Sequence, residues 1–287
     1  MTALRVSLLT ATILALPALG LLAEETPSRR SARQLDEGLG FSVNKLGLRH
    51  TLDLFWRRPL SSSSSPLLKD AHLSIGLTHV LTPSYTRLGA WVQFAPLSIL
   101  EVQAGAEPGA YFGTFGSLMS FNSYQQPFDD TARDARKDEA SSGTGSRLYV
   151  SPTFKMKLGA LVVASSADFE WWRSSATGPL YYEPSRDTLL KVNGDSMVST
   201  STVLLRQHDL AGRGTLSYGL IHNLNYVFDA SQNRSQQIGV VVLRQFGPRR
   251  FGLHAPKIGG RVSYYLSDPS RKGQLTAAVG MSINLAH

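Results

Sequence analysis

The last stretch of the chain, residues 274–287 (QLTAAVGMSINLAH), decides the fold. Every second residue is apolar, and this set is Leu275, Ala277, Val279, Met281, Ile283 and Leu285. The residues between them are small or polar, and this set is Gln274, Thr276, Ala278, Gly280, Ser282 and Asn284. Successive side chains of a β-strand point to opposite faces, so the pattern predicts one long strand with an apolar face and a small, polar face.

The same alternation recurs upstream, and residues 216–228 show it at membrane length. Leucine and aromatic side chains occupy most even positions there, and small or amide side chains occupy most odd ones. Along a strand tilted by about 45°, the distance from Tyr218 to Phe228 corresponds to roughly 23 Å of membrane normal, near the height of a barrel's apolar band. About eleven such segments can be assigned from residue 41 onward. The phase of 197–206 and of the nearly all-apolar 237–246 is ambiguous.

Composition excludes several classes of protein. Hydrophobic residues make up 42% of the chain, which is far below a helical membrane protein but compatible with a barrel whose lumen is polar. The absence of cysteine removes disulfides, thiolate metal sites, a cysteine nucleophile and a lipoprotein anchor. The formal net charge is +8, but Lys and Arg form no run longer than a pair, so nucleic acid is not a predicted partner.

The alternating strands, with the apolar last strand among them, resemble those of bacterial outer-membrane β-barrels. The resemblance implies an all-β fold, a transmembrane antiparallel up-and-down barrel in contact with outer-membrane lipid. Such barrels usually have an even number of strands and both termini in the periplasm, so we predict twelve strands, with ten or fourteen as alternatives. Polar faces rich in Gly, Ser and Thr, aromatic residues at strand ends and a predicted N-terminal signal peptide favour a membrane barrel over a soluble one.

The chain divides into three predicted parts. Residues 1–23 resemble a secretory signal peptide, because Arg5 precedes an apolar run and small residues follow it; an uncleaved anchor is the alternative. Residues 24–40 are predicted to form a polar leader or a weak first strand, and residues 41–287 the barrel. A short strand hidden within 31–41 would make the strand count even.

Two long segments without sustained alternation, 108–146 and 174–195, are predicted to be extracellular loops. The first contains an acidic cluster of Asp129, Asp130 and Asp134 that resembles a divalent-cation site. Basic residues lie between and beside these carboxylates, which favours a self-neutralised, solvated loop. No metal site is therefore predicted here, and no cofactor is predicted anywhere in the chain.

The polar faces of the predicted strands contain charges of both signs, which we expect to line the lumen. This set is Lys45, Arg49, Asp53, Glu101, Lys155, Lys157, Asp168, Glu170 and Arg261. The apolar faces carry aromatic residues that we expect to form girdles at the two membrane interfaces. This set is Trp56, Phe94, Trp171, Tyr218, Tyr226, Phe228 and Tyr264.

The chain end resembles the signal that barrel-insertion machinery reads in proteins of this class. Met281, Ile283 and Leu285 are in phase, and His287 takes the last position, which is usually a phenylalanine. The resemblance therefore implies the insertion machinery as a partner, with the imidazole standing in for the aromatic ring. Without Ile283 and the residues after it, we expect the strand to fail as a closing strand.

The charged lumen favours a non-enzymatic function, a narrow porin-like channel for ions or solutes or a surface scaffold. The alternative is a hydrolase directed at outer-membrane lipid. His72 and Ser74 share a predicted lumenal face and could supply a base and a nucleophile, which must lie within hydrogen-bond reach. No sequence signature of such an enzyme surrounds any histidine, so no catalytic residue is predicted.

Overall fold

A computed structural model describes residues 32–44, 47–230, 233–247 and 254–284. Twelve strands form one closed antiparallel barrel, which confirms the predicted fold and strand number. The barrel strands are β1 (Ala32–Val43), β2 (Gly47–Pro59), β3 (His72–Leu81), β4 (Tyr85–Leu97), β5 (Leu100–Phe112), β7 (Ser142–Leu158), β8 (Leu161–Ser174), β11 (Asp195–Asp209), β12 (Gly214–Val227), β13 (Arg234–Phe246), β14 (His254–Ser267) and β15 (Leu275–Asn284). A separate small sheet contains β6 (Ser120–Phe121), β9 (Leu180–Glu183) and β10 (Thr188–Lys191).

The last strand closes the barrel. β15 pairs with β14 on one side and with β1 on the other, where the register runs from Asp36 opposite Asn284 to Val43 opposite Ala277. β1 begins at Ala32, so the barrel includes residues that the sequence placed in a leader or weak strand. The predicted signal peptide, 1–23, and the terminal residues Leu285 and His287 lie outside the described residues.

The apolar faces of the strands point outward. Leu204, Leu220 and Val240 stand side by side on β11, β12 and β13 and are 44%, 52% and 55% exposed, whereas the next residue after Leu220, Ile221, is 2% exposed. A soluble barrel has its apolar face inside and does not expose a continuous apolar surface of this kind. The outer surface therefore suits lipid. Within the described ranges, no helix reaches the length and hydropathy needed to cross a membrane.

The two ends of the barrel differ in their connections. At the end that holds both described chain termini, which we call the terminal end, the connections include the short turns 98–99, 159–160 and 210–213. The opposite end, which we call the loop end, carries the long connections 113–141 and 175–194. The two segments predicted to be extracellular loops therefore lie together at one end of the barrel, opposite the described chain termini.

The two long loops fold together into a compact unit, which we call the plug (residues 113–141 and 175–194). It contains the sheet β6–β9–β10, a short α-helix, α1 (Asp130–Asp134), and one turn of 3₁₀ helix (Lys137–Glu139). The N-cap of α1, Asp129, accepts a hydrogen bond of 2.8 Å from the Ala132 amide. The plug's own core consists of Met119, Phe121, Phe128, Leu180, Tyr182 and Leu189. These apolar residues give the loops a folded structure where the sequence shows no periodic signal.

One sector of the inner wall is apolar near the terminal end. The side chains that form it come from β8, β11, β12 and β13, and they are Val162, Ala164, Val203, Leu205, Ile221, Val241 and Leu243. The strands here are apolar on both faces, because Leu204 and Val240 face outward between these residues. This explains why the phase of 197–206 and 237–246 is ambiguous in the sequence.

Candidate functional site

The last residue of β9 and the turn that follows it, residues 183–187, enter the barrel at the loop end. We call this segment the plug tip. The hairpin register pairs Glu183 with Thr188, which leaves Pro184 to Asp187 in the turn. Asp187 adopts the left-handed backbone conformation with φ 52°, which Asp tolerates better than most residues. The charged side chains of the tip then contact residues on several different walls of the barrel.

Glu183 binds the wall formed by β4 and β5. Its side chain is completely buried and accepts a hydrogen bond of 2.6 Å from the Arg87 guanidinium. The Tyr111 hydroxyl donates a second hydrogen bond to the same carboxylate. The Arg87 guanidinium lies over the rings of Tyr85 and Trp172, 4.3 and 4.6 Å from their centroids. An inward-facing arginine of the barrel thus holds an acidic residue of the plug.

Arg186 binds the wall formed by β7 and β8. It donates hydrogen bonds of 3.0 Å to the carboxylates of Asp168 and Glu170. On the other side, Arg147 donates to Glu170 at 2.8 Å and to Glu107 at 3.0 Å. Burial is the largest influence and would lower the pKa of Arg186, but Glu170 and Asp168 together outweigh it and raise the pKa, so the guanidinium stays charged.

The charges around the plug tip nearly balance. Three cations (Arg87, Arg147 and Arg186) face four carboxylates (Glu107, Asp168, Glu170 and Glu183). Each of these seven groups forms at least one ion pair with an N···O distance of 3.5 Å or less. Removing one partner from such a buried pair is strongly destabilising because the other charge is left uncompensated. The tip is therefore held in a specific arrangement, in which Glu183 and Arg186 each have an assigned partner on the wall.

Asp187 and the backbone of the tip contact two further parts of the barrel, the loop between β14 and β15 and strand β12. Arg271, in the loop between β14 and β15, donates a hydrogen bond of 2.6 Å to Asp187. Tyr182 donates one of 2.7 Å to the same carboxylate, and burial raises the pKa of the Tyr182 hydroxyl well above 10.0, which keeps it a neutral donor. On β12, Asn225 donates to the Arg186 carbonyl at 3.3 Å.

The plug tip consequently spans the mouth of the barrel. Going round the wall, β4 and β12 are five strands apart in the ring of twelve, so Arg87 and Asn225 lie on nearly opposite sides. Apolar packing accompanies the polar bridge between plug and wall. This shared cluster is Val80, Tyr85, Tyr111, Leu118, Trp172, Ala176, Tyr181, Leu190, Val192, Met197, Val227 and Ala230.

The predicted lumenal charges fall into separate groups. Asp168 and Glu170 belong to the plug-tip network, whereas Glu101 and Lys155 form their own pair of 2.8 Å near the terminal end. Arg49 donates to the Thr51 hydroxyl at 3.2 Å. Of the others, Asp53 accepts a hydrogen bond from Thr78, Lys157 is exposed near the terminal end, and Arg261 is buried on β14. Lys45 lies outside the described residues.

The predicted girdle residues lie in two rows. Trp56, Phe94 and Tyr218 are near the ends of their strands at the terminal end, and Trp171, Tyr226, Phe228 and Tyr264 are near the loop end. Phe94 and Trp171, one from each row, are 50% and 47% exposed on the outer surface. In the predicted assembly signal, Met281 is 45% exposed on the outer face of β15 and Ile283 pairs with Glu37 of β1.

His72 and Ser74 do not form a hydrogen bond with each other. The His72 ring contacts the Asp70 carbonyl through Nδ1 at 2.7 Å and the Gln93 amide oxygen through Nε2 at 3.2 Å. The Ser74 hydroxyl is completely buried and has no hydrogen-bond partner among the described residues. Both ring nitrogens of His72 are therefore engaged elsewhere, and the pair does not have the geometry of a base aligned with a nucleophile.

Several residues of the plug-tip network are not predicted as lumenal charges from the sequence. Glu107 and Arg147 are in phase with the predicted lumenal residues Glu101 and Lys155 on the same strands, and Arg87 lies on the inward face of β4. Extending the alternation by one or two residues would have found them. Glu183 and Arg186 carry no such signal, because their positions depend on how the loops fold.

Comparisons with known proteins bear on the architecture alone. The sequence matches no protein-family model and no curated protein. Among solved structures, the β-domain of the Bordetella autotransporter BrkA has a TM-score of 0.47 and 11% identity and covers 88% of this chain and 98% of its own. The translocator domain of NalP from Neisseria meningitidis has a TM-score of 0.43 and 11% identity, covering 93% and 92%.

A third similar structure, the KdgM porin, has a TM-score of 0.39 and 9% identity and covers 87% of this chain and 98% of its own. At these sequence identities and TM-scores, the similar structures indicate nothing about the activity of this chain. The closed twelve-stranded ladder and its apolar outer surface are observed directly in this chain. The chain therefore has the fold of a bacterial outer-membrane β-barrel, without assignment to a family.

Proposed function

We propose that this protein is a narrow channel of the outer membrane, constricted at its outer mouth by the plug. The observation that carries the proposal is the plug tip, which bridges β4, β8 and β12 across the mouth through Glu183 and Arg186. A barrel that served only as a surface scaffold would not need a charged segment spanning its lumen. Ions or small solutes would pass where the tip and the walls leave space, or when the tip moves.

The lumen below the plug supports this proposal. Glu101 and Lys155 form an inward-facing charge pair near the terminal end, where a permeating ion would leave the barrel. Rings or clusters of charged side chains set ion selectivity in channels. Signal peptide 1–23 would export the chain, and insertion machinery that reads the last strand would place the barrel in the membrane.

Planar-bilayer recordings of the purified protein test the proposal. We expect small stepwise conductance, with a reversal potential in a salt gradient that shifts toward cation selectivity in Lys155→Glu, because two carboxylates then replace one ion pair. Lys137→Glu is the matched control, since it makes the same charge change on the exposed surface of the plug. Conductance that is equally affected by both variants, or absent, would favour the scaffold, and lipid turnover would favour the hydrolase.

Cell fractionation tests the location. We expect the protein in the outer-membrane fraction of a Gram-negative-type cell, because its outer face suits lipid. The same preparation can be examined for the length of the mature chain, which should lack residues 1–23. Recovery in the soluble periplasmic fraction would contradict the proposed location, whatever the recordings show.

A further inference from the structure

Arg261 differs from the other buried arginines of the barrel. It lies in the middle of β14, points inward and is only 8% exposed. Its guanidinium makes no hydrogen bond or ion pair with any residue in the described part of the chain, and its Nε is buried without a partner. Arg87 and Arg147, by contrast, each bind a buried carboxylate.

A buried cation without a partner requires an explanation. Transfer of a charge from water into a protein interior is costly unless the charge is paired and hydrogen-bonded. Buried polar groups in native structures nearly always have a partner, and an ion or a water is the usual partner when the protein supplies none. Because no described residue fills this role, the position of Arg261 points to a group supplied from elsewhere.

Other side-chain atoms without partners lie on the same wall. Ser263 follows Arg261 on the same face of β14, is 1% exposed, and its hydroxyl has no hydrogen-bond partner among the described residues. On β13, Gln237 lies opposite Tyr265, which is the next inward-facing residue after Ser263 on β14. The amide oxygen of Gln237 also has no partner among the described residues. On β12, Asn223 pairs with Gln237 and has an unpartnered amide nitrogen.

We infer that Arg261, Ser263, Gln237 and Asn223 form a lumenal binding site for an oxyanion, the carboxylate or phosphate group of a small solute. The planar guanidinium matches two oxygens of such a group in a bidentate arrangement. The hydroxyl and the amides can donate further hydrogen bonds, since the orientation of a Gln or Asn amide follows its partner. Within the described ranges, no carboxylate pairs with Arg261, so none competes with a bound anion for its guanidinium.

The site is distinct from the plug-tip network, where arginines and carboxylates satisfy one another. A channel with this wall would prefer anionic solutes, and this preference in permeation rests on the proposed channel function. Binding of an oxyanion at Arg261 does not depend on conductance. Equilibrium binding and conductance must therefore be measured separately, so that either can fail without the other.

Calorimetric titration of the full barrel, refolded in detergent micelles, tests the site. Sodium phosphate and sodium acetate are titrated separately at constant ionic strength, with sodium chloride as the baseline. We expect wild-type protein to bind at least one of the two, and Arg261→Gln to weaken that binding by at least about tenfold, given the strength of charge-assisted hydrogen bonds. Arg261→Lys should bind with intermediate affinity, because it keeps the charge and loses the planar fork.

Arg206→Gln is the matched control, since it removes one positive charge from an exposed position on β11 and should bind like wild type. Ser263→Ala, which keeps the charge, should weaken binding by a smaller factor. If Arg261→Gln folds poorly, Arg261→Lys and Ser263→Ala still decide the question. Wild-type protein that binds neither anion, or equal binding by wild type and Arg261→Gln, would overturn the site while leaving the channel proposal intact.

Discussion

Arg186→Met should release the plug tip from the β8 wall. Methionine has a similar length but no charge, so the variant removes the ion pairs to Asp168 and Glu170 and keeps much of the packing volume. Glu170 has a fully buried side chain and, within the described part of the chain, would retain only Arg147 as a cationic partner. Around the tip, three cations facing four carboxylates would become two facing four, so the remaining charges would favour an arrangement that admits water.

The structure sets the size of the effect. Breaking a buried ion pair by removing one partner costs about 3–5 kcal/mol, much of it from the charge left behind. At about 1.4 kcal/mol for each tenfold change, the population with the tip displaced should rise roughly one hundredfold to a few thousandfold. This is an upper bound, because the Arg186 side chain is 18% exposed and water can solvate Glu170 as the tip leaves.

Single-channel recording measures this change as the fraction of time spent in a larger conductance state. Lys191→Met is the matched control in the same loop, since its ion pair with Asp229 is exposed on both sides and solvent screens it. We expect a large rise in open fraction for Arg186→Met and little change for the control. Equal open fractions in the two variants would show that the tip is not held by the buried pairs.

Three further predictions concern the membrane face, pH and assembly. Leu220→Arg on the lipid face should destabilise the barrel in vesicles by about 2–4 kcal/mol, and Asn223→Arg on the lumen face by less; the reverse order would contradict the assigned faces. Burial, and then Asp187, raise the pKa of Asp268 above 3.8, so the folded state binds this proton at higher pH than the unfolded chain. Unfolding free energy should therefore fall as pH rises from 3.8 through the folded pKa, and Asp268→Asn should remove that fall; an unchanged pH profile would refute it. His287→Phe should leave membrane insertion equal or higher, whereas deletion of 283–287 should abolish it; normal insertion of the truncated chain would contradict the assembly role of the last strand.

Sequence alternation was sufficient for the barrel because lipid and lumen demand opposite side chains on the two faces of a strand. β12 and β15 show this clearly, and the closing role of β15 followed from its pattern. The alternation is lost where Val203, Leu205 and Val241 make the inner wall apolar as well. There, the phase of β11 and β13 depends on which apolar residues meet in the lumen, and a single strand's sequence does not contain that information.

The plug could not be predicted for a different reason. Its strands are short, and β6 contains only two residues, so no period can be recognised. Glu183 and Arg186 gain their roles from arginines and carboxylates that are distant in sequence, such as Arg87. The sequence predicts Arg261 as a lumenal charge, but only the placement of the neighbouring strands shows that no described residue pairs with it.

The most direct test of the plugged channel is the conductance of a barrel without the plug tip. In this variant a short Gly-Ser linker replaces residues 178–193, which removes β9, β10 and every tip contact with the wall and leaves the barrel strands unchanged. We expect the deletion variant to fold into the same barrel and to show stable conductance steps several-fold larger than those of wild type. Identical conductance in wild type and the folded deletion variant would contradict the proposal that the plug tip constricts the mouth.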